Sequence, residues 1–346
     1  MQSPSFTEVL RAYDYPFPPE LIAKEPARPR DSARLMVYDR KNDTVTLDTF
    51  RNIAKYLPKN SVIVFNQSKV LPAKFTLEKS TGGKVEALFL EEQGNAALIL
   101  ASGKFAEGDT LKHDSGEEFL VQNRKDHTAL IYNKKFEHNF VSFLEEHGTT
   151  PLPPYIKNSP LNEAERRTEY QTVFANEEGS VAAPTAGLHF TKELITELER
   201  NGHQILSITL HVQLGTFAPI TEAQWQSKTL HTEHYSIDAK TCRALEEAKK
   251  SGSKIIAVGT TTLRTLESAS ENGSITKPSG RTNLFLREGD SLHFVDSLIT
   301  NFHVPRSSLL MLVACMTGRE RLMKLYAEAI ENKFRLFSFG DGMLVL

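Results

Sequence analysis

SVAAPTAGLHFT, residues 180–191, is the most informative stretch of this sequence. Its small residues and Pro leave a thin backbone that a ligand can approach closely. A helical pattern follows from Lys192 to Asn201, with Thr191 placed to open it and Gly202 to close it. A loop of this kind, delivered onto a helix N-terminus, is where α/β proteins tend to hold ligands. A tight structural connection around a buried His fits the same pattern, so both interpretations stay open.

The composition describes a large chain that is almost neutral overall. With 346 residues it has room for two domains, and its hydrophobic fraction of 40% supports a sizeable core. A net charge of -2 gives no global attraction to nucleic acid, so any such contact must come from a local patch. The two cysteines, Cys242 and Cys315, lie outside any metal spacing and indicate a reduced, cytoplasmic protein. We expect no signal peptide and no membrane span, because the longest apolar run, 309–315, is short.

The sequence predicts a layered mixed α/β core domain with an inserted small β-barrel domain. Residues 61–149 are assigned to the barrel, and residues 1–60 and 150–346 to the core. Within the insertion, short β-rich runs alternate with Gly-containing turns about every ten residues, which is typical of a small barrel or sandwich. These runs are 61–65, 84–90, 96–101, 118–121 and 129–132.

Strands and helices alternate in the second half of the chain, which indicates a layered α/β core. The predicted strands cover 204–212, 254–258, 292–299 and 334–339. The predicted helices cover 241–251, 260–270, 307–317 and 319–332. Residues 271–281 are rich in Gly, Ser, Asn and Pro, and this segment is predicted to be disordered.

Polar side chains follow several of the predicted strands, where the loops of an open sheet converge on one crevice. They are His211 with Thr216 and Phe217, then Thr260, Thr261 and Thr262 with Arg264, and finally Asn301 with His303. The Thr-rich turn offers free backbone N–H groups at a helix start, which suit a carboxylate or a phosphate. Simple N-capping by Thr260 or Thr261 explains the same residues equally well.

A second polar run is HTEHY, residues 231–235. In a strand, His231, Glu233 and Tyr235 share one face, and an imidazole beside a carboxylate can act as an acid/base pair. An exposed polar edge strand is the alternative. Metal ligation is disfavoured because the HExxH spacing of zinc proteases is absent, and we expect no metal site.

A compact cationic edge occurs near the N-terminus. Arg28, Arg30 and Arg34 lie in a segment stiffened by two prolines, and guanidinium forks match phosphate oxygens well. A solvated loop with Arg–Asp pairs is the alternative. The sequence contains no Walker loop, no GxGxxG and no GxSxG, which argues against P-loop NTPases, ordinary dinucleotide enzymes and α/β-hydrolases.

Long segments resemble signatures of the S-adenosylmethionine:tRNA ribosyltransferase-isomerase family of queuosine biosynthesis. Those in the second half are SVAAPTAGLHFT (180–191), HVQLGTFAPI (211–220), LHTEHYSI (230–237), VGTTTLRTLES (258–268), DSLITNFHVPRSSLLMLV (296–313) and FSFGDGMLVL (337–346). PLPPYI (151–156) and VFNQSKVLPAKF (64–75) fit the same family. The match runs along nearly the whole chain in order. Departures at Gln213, Gln67 and Lys69 leave the pocket shape open.

The resemblance implies transfer and isomerisation of the ribosyl group of S-adenosylmethionine onto 7-aminomethyl-7-deazaguanine. This base occupies the wobble position of a tRNA with a GUN anticodon. The products would be epoxyqueuosine-tRNA, adenine and methionine. S-adenosylmethionine is then consumed as the ribosyl donor, and no true cofactor is needed. The alternatives are a methyltransferase acting on RNA and a non-catalytic RNA-binding protein. We expect a cytoplasmic monomer.

The resemblance also suggests roles for the polar residues. Acid/base work is assigned to His189 and His211, with His231, Glu233 and His303 as second candidates. Thr185, Thr216, Thr260, Thr261 and Thr262 would hold the donor's carboxylate or ribose, with Arg264 and Asn301 in the same substrate-binding set. Phe190 and Phe217 would stack on adenine or the wobble base. The phosphates of tRNA would be bound by Arg28, Arg30, Arg34, Lys69, Lys74 and Arg306.

Overall fold

A large mixed sheet forms the centre of the protein, whose computed structural model describes residues 5–133, 139–213 and 220–346. Among these residues the sheet has nine strands. Their order across the sheet is Ser279–Leu284, Thr229–Ser236, Gln204–Leu210, Val62–Asn66, Ile255–Val258, Ser297–Asn301, Gly342–Val345, Arg34–Asp39 and Thr44–Thr49. The layered mixed α/β core expected from the sequence is therefore confirmed.

The middle of the sheet is parallel. Gln204–Leu210, Val62–Asn66, Ile255–Val258 and Ser297–Asn301 run side by side in one direction. All residues of Val62–Asn66 are buried, as expected for a central strand covered on both faces. The carboxyl ends of these four strands therefore meet at one edge of the sheet, and the loops that leave them are brought together there.

Helices cover the sheet, and several have a clear start signal in the sequence. The Thr191 hydroxyl accepts the Leu194 N–H (3.1 Å), and the Asp238 carboxylate caps the helix that ends at Gly252. The helices described are Phe6–Ala12, Phe140–His147, Glu163–Glu169, Lys192–Arg200, Glu222–Ser227, Ala239–Ser251, Thr260–Ala269, Ser308–Thr317 and Arg319–Glu331. Short 3-10 helices cover Pro19–Leu21, Arg30–Ser32, Phe50–Lys55 and Thr185–His189. None of the helices described in this chain is long and apolar enough to cross a membrane.

A closed antiparallel barrel lies between two parts of the core, so the predicted barrel is confirmed. In order around the barrel its strands are Thr128–Tyr132, Ala96–Ala101, Lys84–Gln93, Lys74–Lys79, Thr110–Lys112 and Glu118–Lys125. The interior is filled by aromatic side chains that include Phe75, Phe89 and Phe119. Phe140 and Phe143 of the following helix pack into the same cluster, which gives the barrel its own core.

Three local expectations differ from the structure. Val62–Asn66, which the sequence assigned to the barrel, is a strand of the large sheet. The predicted strand 334–339 is absent from the described residues, and Gly342–Val345 takes the place beside Ser297–Asn301. The segment predicted to be disordered contributes Ser279–Leu284 to the sheet edge and holds the short pair Ser270–Glu271 and Ser274–Ile275. Its Gly and Pro residues mark turns between short strands rather than disorder.

The return from barrel to core depends on a close backbone contact at Gly148. A Cβ placed there would lie 1.8 Å from the Pro72 carbonyl oxygen and 2.6 Å from that of Leu144. The next residue, Thr149, pairs with Lys74 on the outgoing connection. The chain segments that enter and leave the barrel are thus packed directly against each other.

We predict that Gly148→Ala lowers the free energy of unfolding by about 2 kcal/mol or more, because backbone atoms cannot make room as a side chain can. Gly83→Ala in the same barrel is the matched control, since its added Cβ would meet only the flexible end of Lys79. Urea denaturation of both variants measures the difference. Equal stabilities would show that the contact at Gly148 is not tight.

Candidate functional site

A crevice opens at the carboxyl edge of the parallel strands and takes in about 550 Å³, its open mouth included. One wall is the small-residue loop Ala183–Ala186, and another is the turn Gly259–Thr261. The remaining lining comes from residues after the strand ends and from two distant segments. These are Tyr155, Val212, Thr300, Asn301, Phe302, His303, Val304, Leu309, Phe337 and Ser338. The loops that the sequence placed together do converge here.

The helix Thr260–Ala269 begins at this crevice without a side-chain cap. Its N-cap is Gly259, whose φ of +89° favours glycine, and neither Thr260 nor Thr261 caps the helix. The first intrahelical bond is donated by Leu263 to the Gly259 carbonyl (3.1 Å). The backbone N–H groups of the first turn therefore have no side-chain cap and can bind an anion. This favours the ligand-binding interpretation of the Thr-rich turn over the N-capping one.

The Asn301 side chain joins three parts of the crevice wall. Its Oδ1 accepts the Thr185 hydroxyl proton (3.1 Å). Its Nδ2 donates to His189 Nε2 (3.3 Å) and to the Phe337 carbonyl (3.1 Å). Because an amide nitrogen only donates, Nε2 of His189 is the acceptor, and the ring proton of a neutral imidazole is then on Nδ1. His189 thus supports Asn301 from behind.

His189 and His303 are both buried, yet they occupy different positions. His189 is stacked on Phe50 (ring centroids 4.6 Å apart) and does not line the crevice, whereas His303 does. Burial lowers the pKa of each imidazole to about 3, with the Arg335 and Arg30 charges adding to the effect at His189. Both rings are therefore neutral near pH 7.

The backbone of His303 is held on both sides by tyrosines. Its N–H donates to the Tyr326 hydroxyl (2.8 Å), and its carbonyl accepts from the Tyr15 hydroxyl. Its Nε2 lies 2.9 Å from the Thr300 hydroxyl oxygen. Within the described part of the chain no hydrogen bond is found at Nδ1 of His303. The ring is thus held in one orientation on the crevice wall, and its Nδ1 has no hydrogen-bond partner among the described residues.

Tyr155 and Ser338 line the crevice and were not among the residues predicted from the sequence. Their side-chain oxygens are 2.6 Å apart, and burial raises the pKa of the Tyr155 phenol. The motifs that contain them, PLPPYI and FSFGDG, were visible in the sequence. Nothing in their spacing indicated that residues 183 positions apart would meet.

Glu233, the carboxylate of the predicted acid/base pair in HTEHY, instead forms a buried ion pair with Arg264. Glu233 accepts from Arg264 Nη1 and from the Gln213 N–H (3.1 Å), and the two charged side chains are only 3% and 4% exposed. The Arg264 Nε donates to the Leu284 carbonyl (3.0 Å). Both residues are committed to holding the sheet edge, and His231 on the same strand is exposed to solvent.

Three other candidates, His211, Phe190 and Thr262, do not line the crevice. The imidazole of His211 lies against the backbone of Gly179, and burial followed by the His234 charge lowers its pKa. Phe190 is fully buried between Phe50 and Phe65, so its ring has no face for a base to stack on. The Thr262 hydroxyl donates to the carbonyl of Val258, the last residue of the preceding strand. Thr216 and Phe217 lie outside the described residues.

All six cations predicted to bind tRNA have partners inside the protein. Arg28 and Arg30 face Glu169 (3.6 and 3.2 Å), and Arg30 also donates to the Gln171 carbonyl. Arg34 donates to the Asn332 carbonyl and lies over the Phe334 ring. The pairs Lys69–Glu178 (2.8 Å), Lys74–Glu86 (3.2 Å) and Arg306–Asp14 complete the set.

No formally charged side chain is found on the crevice wall in the described ranges. Nor do the described residues bring together three or more His, Cys, Asp or Glu side chains that could hold a metal ion. The chemistry that this wall offers is therefore hydrogen bonding by hydroxyl, amide and backbone groups, together with one neutral imidazole.

Sequence comparisons place this arrangement among known proteins. A sequence model of the family described as "Queuosine biosynthesis protein" matches residues 10–345. The S-adenosylmethionine:tRNA ribosyltransferase-isomerase of Thermotoga maritima is 44% identical over 339 residues, which cover 96% of this chain and 98% of that protein. The protein of the same name from Desulforamulus reducens is 42% identical over 345 residues, or 97% of this chain and 99% of the relative.

A solved structure is similar over the full length. It is the crystal structure of S-adenosylmethionine tRNA ribosyltransferase from Thermotoga maritima, with a TM-score of 0.56 and 34% sequence identity. The similarity covers 97% of this chain and all of the other. Sequence and fold therefore agree on one family of relatives.

We predict that Glu233→Gln lowers the free energy of unfolding by about 3–5 kcal/mol, because it leaves the buried Arg264 guanidinium without a counter-charge. The exposed neighbour on the same strand supplies the control, His231→Gln, which should change stability by about 0.5 kcal/mol or less. Chemical denaturation measures both. A small effect of Glu233→Gln would mean that the ion pair contributes little to the fold.

A second prediction concerns acid. A histidine with a pKa of about 3 when folded and about 6.5 when unfolded binds a proton only in the unfolded state between those values, so stability falls as pH falls. Between pH 7 and pH 5 each buried imidazole should cost about 2 kcal/mol. His189→Gln should therefore lose about 2 kcal/mol less than wild type over this range, whereas His231→Gln should behave like wild type. Equal slopes for all three proteins would refute the neutral, buried state of His189.

Proposed function

The chain belongs to the queuosine biosynthesis family of S-adenosylmethionine:tRNA ribosyltransferase-isomerases, and we propose that its crevice is where S-adenosylmethionine binds. It is an enzyme that transfers and isomerises the ribosyl group of S-adenosylmethionine onto tRNA. Neither a methyltransferase nor a non-catalytic RNA-binding protein is favoured, since the relatives above are named for ribosyl transfer. The observation that carries the proposal is the uncharged crevice at the uncapped helix start.

The donor's carboxylate binds at the first turn of the helix Thr260–Ala269. Free N–H groups and the positive end of the helix dipole favour an anion at this position. Thr260 and Thr261 line the crevice at this helix start, and Thr185 lines it from the small-residue loop. A carboxylate held here would leave the sulfonium and ribose in the middle of the crevice, beside residues that carry no charge.

The base that starts the reaction is His303. The reaction must remove a proton from the ribose carbon beside the sulfonium, whose positive charge makes that proton acidic. His303 is the neutral imidazole on the described wall, and Thr300 can accept from its Nε2–H, which leaves the Nδ1 lone pair to take the proton.

His189 is a positioning residue. Its Nε2 lone pair is occupied by the Asn301 amide, and its ring is packed on Phe50 outside the crevice. It acts by keeping Asn301 oriented toward Thr185 and the Phe337 carbonyl. The sequence alone could not separate this role from proton transfer.

The acceptor is 7-aminomethyl-7-deazaguanine at the wobble position of tRNA with a GUN anticodon. A loop base can leave its stack at small cost and enter a crevice that is open on one side. The neutral aminomethyl nitrogen attacks the ribosyl carbon, and adenine and methionine depart to give epoxyqueuosine-tRNA. S-adenosylmethionine carries both leaving groups, so the proposal includes no resident cofactor. We propose that the protein acts as a monomer, and tRNA as substrate favours the cytoplasm.

We predict that His303→Gln lowers kcat by about a hundredfold or more, the usual contribution of a positioned base. Adenine and methionine release with tRNA carrying the modified base is the assay, and bound S-adenosylmethionine measured separately should be nearly unchanged. His189→Gln should keep most of kcat with the wild-type pH profile, because an amide oxygen can accept from Asn301.

The outcomes separate the alternatives. Near-normal turnover by His303→Gln, with loss of turnover in His189→Gln, would exchange the two roles. Formation of S-adenosylhomocysteine by the wild-type protein would identify a methyltransferase. Binding of tRNA with no turnover of S-adenosylmethionine would identify a non-catalytic RNA-binding protein.

A further inference from the structure

Three cationic residues lie on segments that contact one another, two of which also contribute to the crevice wall, and none of the three is in the set predicted from the sequence. They are Lys24, Lys157 and Arg335, which we name the cationic rim. The Lys157 N–H donates to the carbonyl of Tyr155 (3.1 Å), and Tyr155 lines the crevice. Arg335 lies two residues before Phe337, which also lines the crevice.

Contacts between three segments hold the rim together. The Ser159 hydroxyl donates to the Lys24 carbonyl (3.0 Å), which places Lys24 beside the Tyr155–Ser159 turn. Arg335 Nη1 donates to the Glu25 carbonyl (3.4 Å), and Ile22 pairs with Leu336. The three charges are thus carried by backbone segments that are fixed against one another.

The rim lysines differ from the six cations predicted earlier, because no partner of their ammonium groups is found in the described part of the chain. Lys24 and Lys157 are exposed, and neither forms an ion pair within the described part of the chain. Arg335 is held by the buried Asp341 (3.4 Å) and keeps about a third of its side chain exposed. An exposed ammonium group that forms no internal ion pair can exchange its counterions for phosphates.

We propose that the cationic rim binds the backbone phosphates of the tRNA anticodon loop, and so holds the loop over the crevice. This inference rests on the proposed function, since a wobble base in the crevice brings its flanking phosphates to the mouth. The chemistry that is recognised is a short run of phosphodiesters without base identity. Glu25 adds an exposed carboxylate to the same segment and opposes binding.

The test is the double variant Lys24→Glu/Lys157→Glu, assayed for binding to unmodified tRNA transcript and for adenine release with tRNA that carries the modified base. We expect at least about a tenfold loss of tRNA affinity near 100 mM salt. The slope of log K against log salt should fall by about one to two, at roughly 0.7 per phosphate contact. Affinity for S-adenosylmethionine should stay at the wild-type value, which also shows that the variant is folded. Glu25→Gln should tighten tRNA binding.

Lys59→Glu/Lys250→Glu is the matched control. Both lysines are exposed and form no ion pair among the described residues, but they lie at the amino ends of the parallel strands, on the far side of the sheet from the crevice. Equal effects of the two double variants, or no effect of either, would overturn the rim as a tRNA site. If the wild-type protein itself neither bound tRNA nor released adenine, the proposed function would fail instead.

Discussion

The buried amide of Asn301 is the contact on which the crevice depends. Thr185, His189 and the Phe337 carbonyl are all bonded to it, and they belong to segments far apart in the chain. A buried amide must keep its hydrogen bonds, because each one lost leaves an unpaired polar group without water. The small-residue loop, the parallel strand and the C-terminal segment are therefore held at one spacing. The neutral state of His189 is part of this arrangement, since a protonated ring could not accept from the amide.

Charge is arranged around the crevice rather than within it. The described wall carries no charged side chain, the Glu233–Arg264 pair is buried at the neighbouring sheet edge, and the rim lysines are exposed to solvent. For a sulfonium substrate this is consistent chemistry. A carboxylate inside the crevice would stabilise the cation in its ground state, whereas backbone N–H groups can hold the amino-acid end and leave the sulfonium reactive. A polyanionic partner then meets the exposed rim lysines outside the crevice.

Sequence patterns succeeded where the relevant interaction is local. Thr191 indicated a helix start because a cap needs only its own next few residues. Turns about every ten residues indicated the barrel for the same reason. The prediction of a strand over 334–339 was wrong, although the composition of this segment is apolar. Its side chains Phe334, Phe337 and Phe339 pack as core residues of an irregular segment. The prediction of disorder for residues 271–281 was wrong. Pairing with Thr229–Ser236 orders the end of this Gly- and Pro-rich stretch, and composition does not encode that pairing.

The sequence by itself determined the family, the α/β core with its barrel, and the loops that meet at the crevice, because these follow from long ordered motifs and from strand polarity. Only the tertiary structure decided which polar residues in those loops are available for chemistry. Glu233 and Arg264 share a helix–strand contact 31 positions apart, and the arginines near the N-terminus are occupied by Glu169 and backbone carbonyls. His189 and His303 look alike as sequence, yet one ring supports Asn301 and the other lines the crevice. The physical reason is that a side chain's role depends on its burial and its partners, and both are set by residues far away in the chain.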